Sequence, residues 1–462
     1  METIDWIVLT SYFIVLVFII LKVKKVQNIE DFAVAGRKVP SPIIFATLTA
    51  SIVGPGYIIG LSDKGYTLGY VFYLITLMFA FQTIFTAYFI APKISSYKNA
   101  YTLGDILGLH YGNAAKKISG VLSFLYCAGI VGVVAKASGD LISYFTGINF
   151  VLAAILSTII VIIYSTHGGI KAVVVSDVLQ FIIIIAVVPI IIYFIMADID
   201  FENFESVYKS NFENFSGGLS NMQIAGLLFS FLLGEALVPP YVSRALMAKS
   251  PKHAKKGFLY SGLFMVIWFF IAISIGVFGK VLLDDGSSVF FDLLAKYAPV
   301  GILGLIAAAL ISIIMSTKDS FLNSASVIFT FDILSKDRKK KNLKTTQFIN
   351  MLTGTIAVLF ALSIPNIMDA IVNIFTFWAP TVVLPLMIAV LKKNVHPLSG
   401  LLAIIAGLLV TSIWEFALPS PPFGIPSVIA GVIANQVVFW LVETINPNIG
   451  KSKQNDIKIK TL

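Results

Sequence analysis

Cysteine, histidine and charge are what this 462-residue sequence has least of. Cys127 is its only cysteine, which excludes an intrachain disulfide and a thiolate metal cluster. Its four histidines, His110, His167, His253 and His396, lack HExxH-type spacing, which argues against a catalytic zinc centre. Charged residues make up 12%, against the ~25% of an ordinary soluble domain. So few charges cannot clothe a soluble surface of this size. That excludes a soluble enzyme, a nucleic-acid-binding domain and a disordered chain. In their place 58% of the residues are hydrophobic, about 268, and the mean hydropathy is +0.92. A spanning helix needs about 20 apolar residues, so the supply fits roughly thirteen spans. The expected fold class is an all-α polytopic membrane protein. The net charge of +9 is then read as Lys and Arg gathered in cytoplasmic loops, with no nucleic-acid partner.

Apolar runs place the spans at 5–22, 41–62, 69–92, 118–145, 149–166, 172–197, 222–245, 257–281, 298–333, 346–365, 368–391, 397–416 and 427–445. The first run lacks a basic leader and a small-residue cleavage site, and Lys22, Lys24 and Lys25 follow it, so it reads as a retained span. With the N-terminus outside, 27 of the 33 cations fall on the inner side, and the acidic loop 198–220 falls outside. That asymmetry supports a count of thirteen, with a cytoplasmic C-terminus in the cell (inner) membrane. The tail of about 17 residues is too short for a soluble domain.

Two spans carry breakers in mid-membrane: Thr49-Ala-Ser-Ile-Val53-Gly54-Pro55-Gly56-Tyr57 and Gly234-Glu235-Ala-Leu-Val238-Pro239-Pro240-Tyr241. Broken backbone is tolerated in a bilayer only where it lines a cavity or is buried in protein. These two breaks lie five spans apart in oppositely directed helices, the pattern of a transporter binding site in inverted halves. A third cluster, Ser312 and Ser316-Thr317-Lys318-Asp319-Ser320 with Asn323, Ser324 and Ser326, lies on the ninth span. Paired hydroxyls and freed carbonyls make a hard oxygen cage suited to a bare monovalent cation. The bland alternative is hydroxyls bonding back to their own helix. Ionisable residues inside spans are functional candidates: Asp177, Glu235, Lys318 and Asp319. Lys136 and Asp140, four apart, are expected to pair.

These stretches resemble the sodium:solute symporter family over essentially the whole chain. The resemblance rests on Ala50 to Gly60 with Gly65-Tyr66, on Tyr164 to Gln180 including Gly168-Gly169 and Asp177, on Met315 to Asn323 with Asp332-Ile333, and more weakly on Pro239 to Arg244. The first broken helix is most like the choline-transporter branch. The resemblance implies a LeuT-type fold: a five-plus-five inverted core in spans 2–11, residues 41–197 and 198–396, preceded by an extra helix in 1–40 and followed by two helices and a basic tail in 397–462. It implies sodium ligation by the carbonyls of Ala50, Val53 and Ile313 and the hydroxyls of Ser316 and Thr317. It implies a further sodium at Asp177 and Ser320, although Asp319 stands where some relatives have another hydroxyl. Lys318 is a second departure. Its ammonium would stand in for sodium if uptake were proton-coupled, but the intact Ser316-Thr317 pair favours its pointing away.

Ile52 and Val238 stand where the choline branch would place tryptophans, which argues against a quaternary ammonium. Tyr57 stands where the sugar branch has an amide. Glu235 can pair with an amino group, or be a hydrogen-bonded structural carboxylate. Half-helix N-termini can hold a carboxylate. The expected function is therefore sodium-coupled symport of a small organic solute, an amino acid or related zwitterion or amine. Its expected contacts are Gly54, Pro55, Gly56, Tyr57, Glu235, Val238, Pro239, Asn373 and Trp378. Sodium is expected as a co-transported ion, the lipid bilayer as surroundings, and a monomer or weak oligomer as the assembly. The alternatives are proton-coupled uptake through Lys318 and a solute sensor on the transporter fold. A lipid-acting enzyme lacks a catalytic constellation, and an open channel fits the paired breaks less well.

Overall fold

The computed structural model describes residues 2–22, 26–54, 57–197, 205, 209, 218–283, 289–299, 301–334, 343–392 and 394–445. Pro55, Gly56, most of the acidic loop, the lysine cluster at 336–341 and the basic tail lie outside the described residues. Regular structure among the described residues is helical, with one bridge between Val39 and Ala248.

Helices occupy every apolar run. In chain order they are α1 (Thr3–Lys22), α2 (Ser41–Ile52), α3 (Ile59–Leu68), α4 (Val71–Phe89), α5 (Asn113–Thr146) and α6 (Phe150–Ala197). Then come α7 (Asn221–Leu233), α8 (Pro239–Leu246), α9 (Pro251–Leu282), α10 (Ile302–Ile328) and α11 (Leu343–Ala361). The last are α12 (Ile367–Trp378), α13 (Leu384–Leu391), α14 (Pro397–Ser412) and α15 (Ser427–Ile445). Eight helical runs among the described residues are long and apolar enough to cross a bilayer by those criteria alone. The number thirteen requires α2–α3, α7–α8 and α12–α13 each to count as one crossing and α6 as two. Gly169 divides α6: its φ of 54° lies in the left-handed region, and a Cβ there would meet the Phe32 ring at 2.5 Å.

The interior is built around α9 and α10. α9 packs along α2, α3 and α4; α10 packs against α5 and α6, and α1 lies across α10 and α6. Without a hydrophobic drive between lipid-bathed helices, close contact depends on small residues. A Cβ on Gly276 would lie 1.9 Å from the Ser62 carbonyl oxygen, so α9 meets α3 backbone to backbone. α10 is buried along almost its whole length, hydroxyls included. Helices α14 and α15 pair with each other and grip the π-helical turn Ala379–Val383 between α12 and α13.

Candidate functional site: two broken helices and a buried cation cluster

The first break begins where α2 loses its ladder. In a continued helix the Gly54 amide would bond Ala50 and the Tyr57 amide would bond Val53. Instead Gly54 N–H donates to Ile52 O (2.6 Å) and Tyr57 N–H to Gly54 O (2.9 Å). The Ala50 and Val53 carbonyls, both nominated as sodium ligands, thus lose their helical donors. Thr317 on α10 faces this turn. Its hydroxyl lies 3.2 Å from both Ser51 O and Ile313 O, and a Cβ on Gly54 would sit 3.1 Å from Thr317 Oγ1. The structure therefore brings Thr317 and Ile313 O to the end of α2 at Ser51 and Gly54. Ser316, the neighbour of Thr317, instead donates to Asp177 Oδ1 at 2.5 Å.

The second break runs from Gly234 to Val238. Leu237 takes φ 53°, a left-handed conformation costly for a branched residue and characteristic of functional turns. Aromatic donors satisfy the backbone that both breaks free. Tyr126 OH donates to Gly234 O (3.2 Å), Trp378 Nε1–H to Ala236 O (3.0 Å) and Trp268 Nε1–H to Tyr57 O (3.2 Å). Trp378 is thereby a brace for the second break. Tyr126 and Trp268, which brace it and the first, were not singled out from sequence, because nothing local marks an aromatic whose partner is a carbonyl more than a hundred residues away.

Glu235 joins the two breaks. It is buried, and it accepts hydrogen bonds from Tyr57 of the first break and Tyr241 on α8. Both carboxylate oxygens are engaged, so the hydrogen-bonded structural carboxylate weighed from sequence is present. Each oxygen still has a lone-pair direction to offer. Gly54, Tyr57, Glu235 and Thr317 line a small cavity of about 30 Å³ with Ser51, Ile371 and Phe375, room for about one or two water molecules. Val238 and Pro239 are fully buried at the second break, while Asn373 is exposed and lines a separate cavity of about 510 Å³ with Trp378 and Asn366.

A further polar cluster lies beside Thr317. Arg244 of α8, fully buried, directs one guanidinium nitrogen at Ser320 Oγ (2.5 Å), Ser51 Oγ (3.0 Å), Asp177 Oδ2 (3.2 Å) and Thr47 Oγ1 (3.3 Å). Thr47 also donates to Asp177. The residues nominated for a further sodium, Asp177 and Ser320, here hold a guanidinium. Asp319 turns to Tyr164 OH (2.5 Å) and Ser176 Oγ (3.4 Å). Lys318 points away from the Thr317 cage, its ammonium 3.1 Å from Ser157 Oγ and 3.2 Å from Thr158 Oγ1 on α6.

The two ends of the molecule differ. On the α3 and α12 side a cavity of about 710 Å³, lined by Asp63, Lys64, Lys136 and Asp140, reaches down to Gly60 and Met368. Lys136 pairs with Asp140 at 3.0 Å, as their spacing suggested. Met368 and Ile371, one turn apart on α12, separate this cavity from the small central one. The opposite side is packed. Arg37 donates to Ala100 O (2.5 Å) and Leu246 O (3.1 Å), Val39 bridges Ala248, and Lys116 joins Asp105 (2.5 Å) to Asp332 (3.4 Å).

The sequence profile of the sodium:solute symporter family matches residues 32–407. Among curated proteins, a sodium/proline symporter of Staphylococcus aureus is 23% identical over 98% of this chain and 94% of its own length. The sodium/glucose cotransporter 1 of Oryctolagus cuniculus is 24% identical over 88% of this chain and 71% of its own. Among solved structures, the substrate-bound outward-open state of a Na+-coupled sialic acid symporter superposes with a TM-score of 0.80 at 20% identity. It covers 95% of this chain and 98% of that one.

Proposed function

The chain belongs to the sodium:solute symporter family, whose members are transporters and not enzymes and carry sodium as the co-transported ion, and from that premise we propose that it imports a small amino acid or related zwitterion or amine. The observation that carries this reading is Glu235: a buried carboxylate at the meeting point of both broken helices, steadied by two tyrosine hydroxyls and facing the central cavity. An ammonium group on the solute would give this buried carboxylate a partner of opposite charge.

On this reading sodium is held by the carbonyls of Ala50, Val53 and Ile313 and by Thr317, with Ser316 as the fifth ligand once its hydroxyl turns from Asp177. Sodium fixes the unwound end of α2 against α10, which shapes the floor of the solute cavity. Linkage is reciprocal, so solute raises sodium affinity by the same factor. With the topology that follows, the wide cavity above Met368 opens outside and the packed Arg37 end faces the cytoplasm. We place the N-terminus outside and the C-terminus in the cytoplasm, from the distribution of lysine and arginine.

The test is a thermal-shift screen of the purified protein against amino acids, proline first, then amines, sugars and organic acids, in sodium and in potassium. A ligand that binds only the folded state raises the melting temperature. A zwitterion that stabilises in sodium alone is the expected result. Stabilisation by a sugar, or equal stabilisation in potassium, overturns the proposed solute class or the proposed coupling respectively.

A further inference from the structure

The cluster around Asp177 has the composition of a cation site. Four hydroxyls and a carboxylate from α2, α6 and α10 converge: Thr47, Ser51, Ser316, Ser320 and Asp177, all buried. What fills it is Arg244, whose side chain is fully buried and whose one terminal nitrogen reaches four of those five groups within 3.3 Å. The fifth, Ser316, bonds the other oxygen of the same carboxylate. We propose that Arg244 is a tethered cation that takes the place of a second sodium, so that this symporter binds and moves one sodium per solute.

This rests on the sodium reading of the Thr317 cage and extends it. Asp177 already has a cation at salt-bridge distance, and the neighbouring carboxylate, Asp319, accepts from Tyr164 and Ser176 and lies 3.4 Å from Ser320. A sodium ion added among the same hydroxyls would sit within a few ångströms of the guanidinium, and two like charges repel strongly in a site shut off from water. Arg244 reaches the cluster because of where α8 starts. Tyr241 and Arg244 are three residues apart, so they share one face of the short helix. Tyr241 bonds Glu235 in the solute cavity, and Arg244 bonds Asp177, which in turn holds Ser316 beside the sodium cage. One eight-residue helix thus touches the solute site with one side chain and the cation cluster with another.

The experiment counts bound sodium directly, by equilibrium binding of radioactive sodium to the purified full chain in potassium buffer. Wild type is expected to bind one sodium per chain, and Thr317→Ala to bind it about tenfold or more weakly. Arg244→Ala, which leaves Asp177 in place, is expected to bind two, with the saturation curve steepening toward a Hill coefficient of 2. Arg244→Ala combined with Asp177→Asn returns to one. Arg244→Gln, uncharged and still able to hydrogen-bond, is also expected to bind two, which covers the case in which Arg244→Ala does not fold, and Arg244→Lys, which keeps a tethered cation, stays at one. Two sodium ions bound to wild type, or one bound to well-folded Arg244→Ala, overturns the tethered cation while leaving the Thr317 site standing. No sodium bound to wild type removes the sodium reading itself.

Discussion

Thr317 and Ser316 are neighbours in sequence with different tasks in the structure. Thr317 faces the unwound end of α2, and Ser316 is turned to Asp177. Thr317→Ala removes an oxygen that nothing else replaces. It is expected to lower apparent sodium affinity about tenfold or more, read from the sodium dependence of solute uptake in proteoliposomes. Ser316→Ala leaves Asp177 with one donor fewer and is expected to weaken sodium affinity as well. Glu235 separates two roles that a single loss of activity would confuse. Tyr57→Phe or Tyr241→Phe takes one donor from a buried carboxylate and is expected to cost about 1–3 kcal/mol of stability. Glu235→Gln keeps the shape and loses the charge. If the carboxylate meets the solute's ammonium group, Glu235→Gln abolishes uptake with a smaller fall in melting temperature than either tyrosine variant. A Glu235→Gln protein that transports normally removes the ammonium contact.

At the scale of elements, the interruptions of helices are held open by groups from elsewhere in the chain. The turn between α12 and α13 is the plainest case. Pro380 cannot donate to a helical ladder, and the chain passes through a π-helical turn there. Asn435 of α15 lies 2.9 Å from Pro380 O, 3.1 Å from Thr381 O and 3.0 Å from Ala403 O, and it is fully buried. A Cβ on Gly407 would lie 1.8 Å from the same Pro380 carbonyl oxygen. Asn435→Leu strips the amide from those carbonyls and is expected to destabilise the protein by roughly 1–3 kcal/mol. Gly407→Ala forces α14 off the turn at a cost of about the same size. Thermal unfolding in detergent measures both. Helices α14 and α15 are on this view a clamp on α12–α13, the element that carries Met368 and Ile371 over the small central cavity.

Across the whole molecule, the two faces of the central cavity are closed by unlike means. A layer of two side chains, Met368 and Ile371, closes the side with the wide cavity, while backbone contacts and ion pairs around Arg37, Val39 and Lys116 close the other. On the proposed topology, opening inward breaks the second set. Arg37→Ala is expected to shift the population inward and to raise labelling of a cysteine at Ser243 or Ser324, both near that end. Cys127 is fully buried, so the native chain gives little background in such labelling. The same silence makes orientation testable. Ser363→Cys is expected to react with an impermeant thiol reagent added outside intact cells, and Lys252→Cys only after the cells are opened. The reverse pattern overturns the proposed topology.

The sequence by itself determined residence in a membrane, the all-helical class, the places where helices break and the family. Those follow from composition and local pattern: apolar runs have a length, breakers have a position, and a bilayer permits few solutions to backbone hydrogen bonding. The interruptions at Gly54 and between Gly234 and Val238 were legible for that reason. Only the tertiary structure decided which groups meet. Arg244 read as the edge of an inner loop until α8 carried it to Asp177, and Trp378 could not be told from a packing residue until Ala236 O stood 3.0 Å from its indole. Lys318 and Asp319, adjacent in sequence, diverge to different groups on α6. A hydrogen bond depends on distance and direction between atoms, and for residues a hundred or more positions apart those are set by helix packing, of which a linear pattern carries no trace.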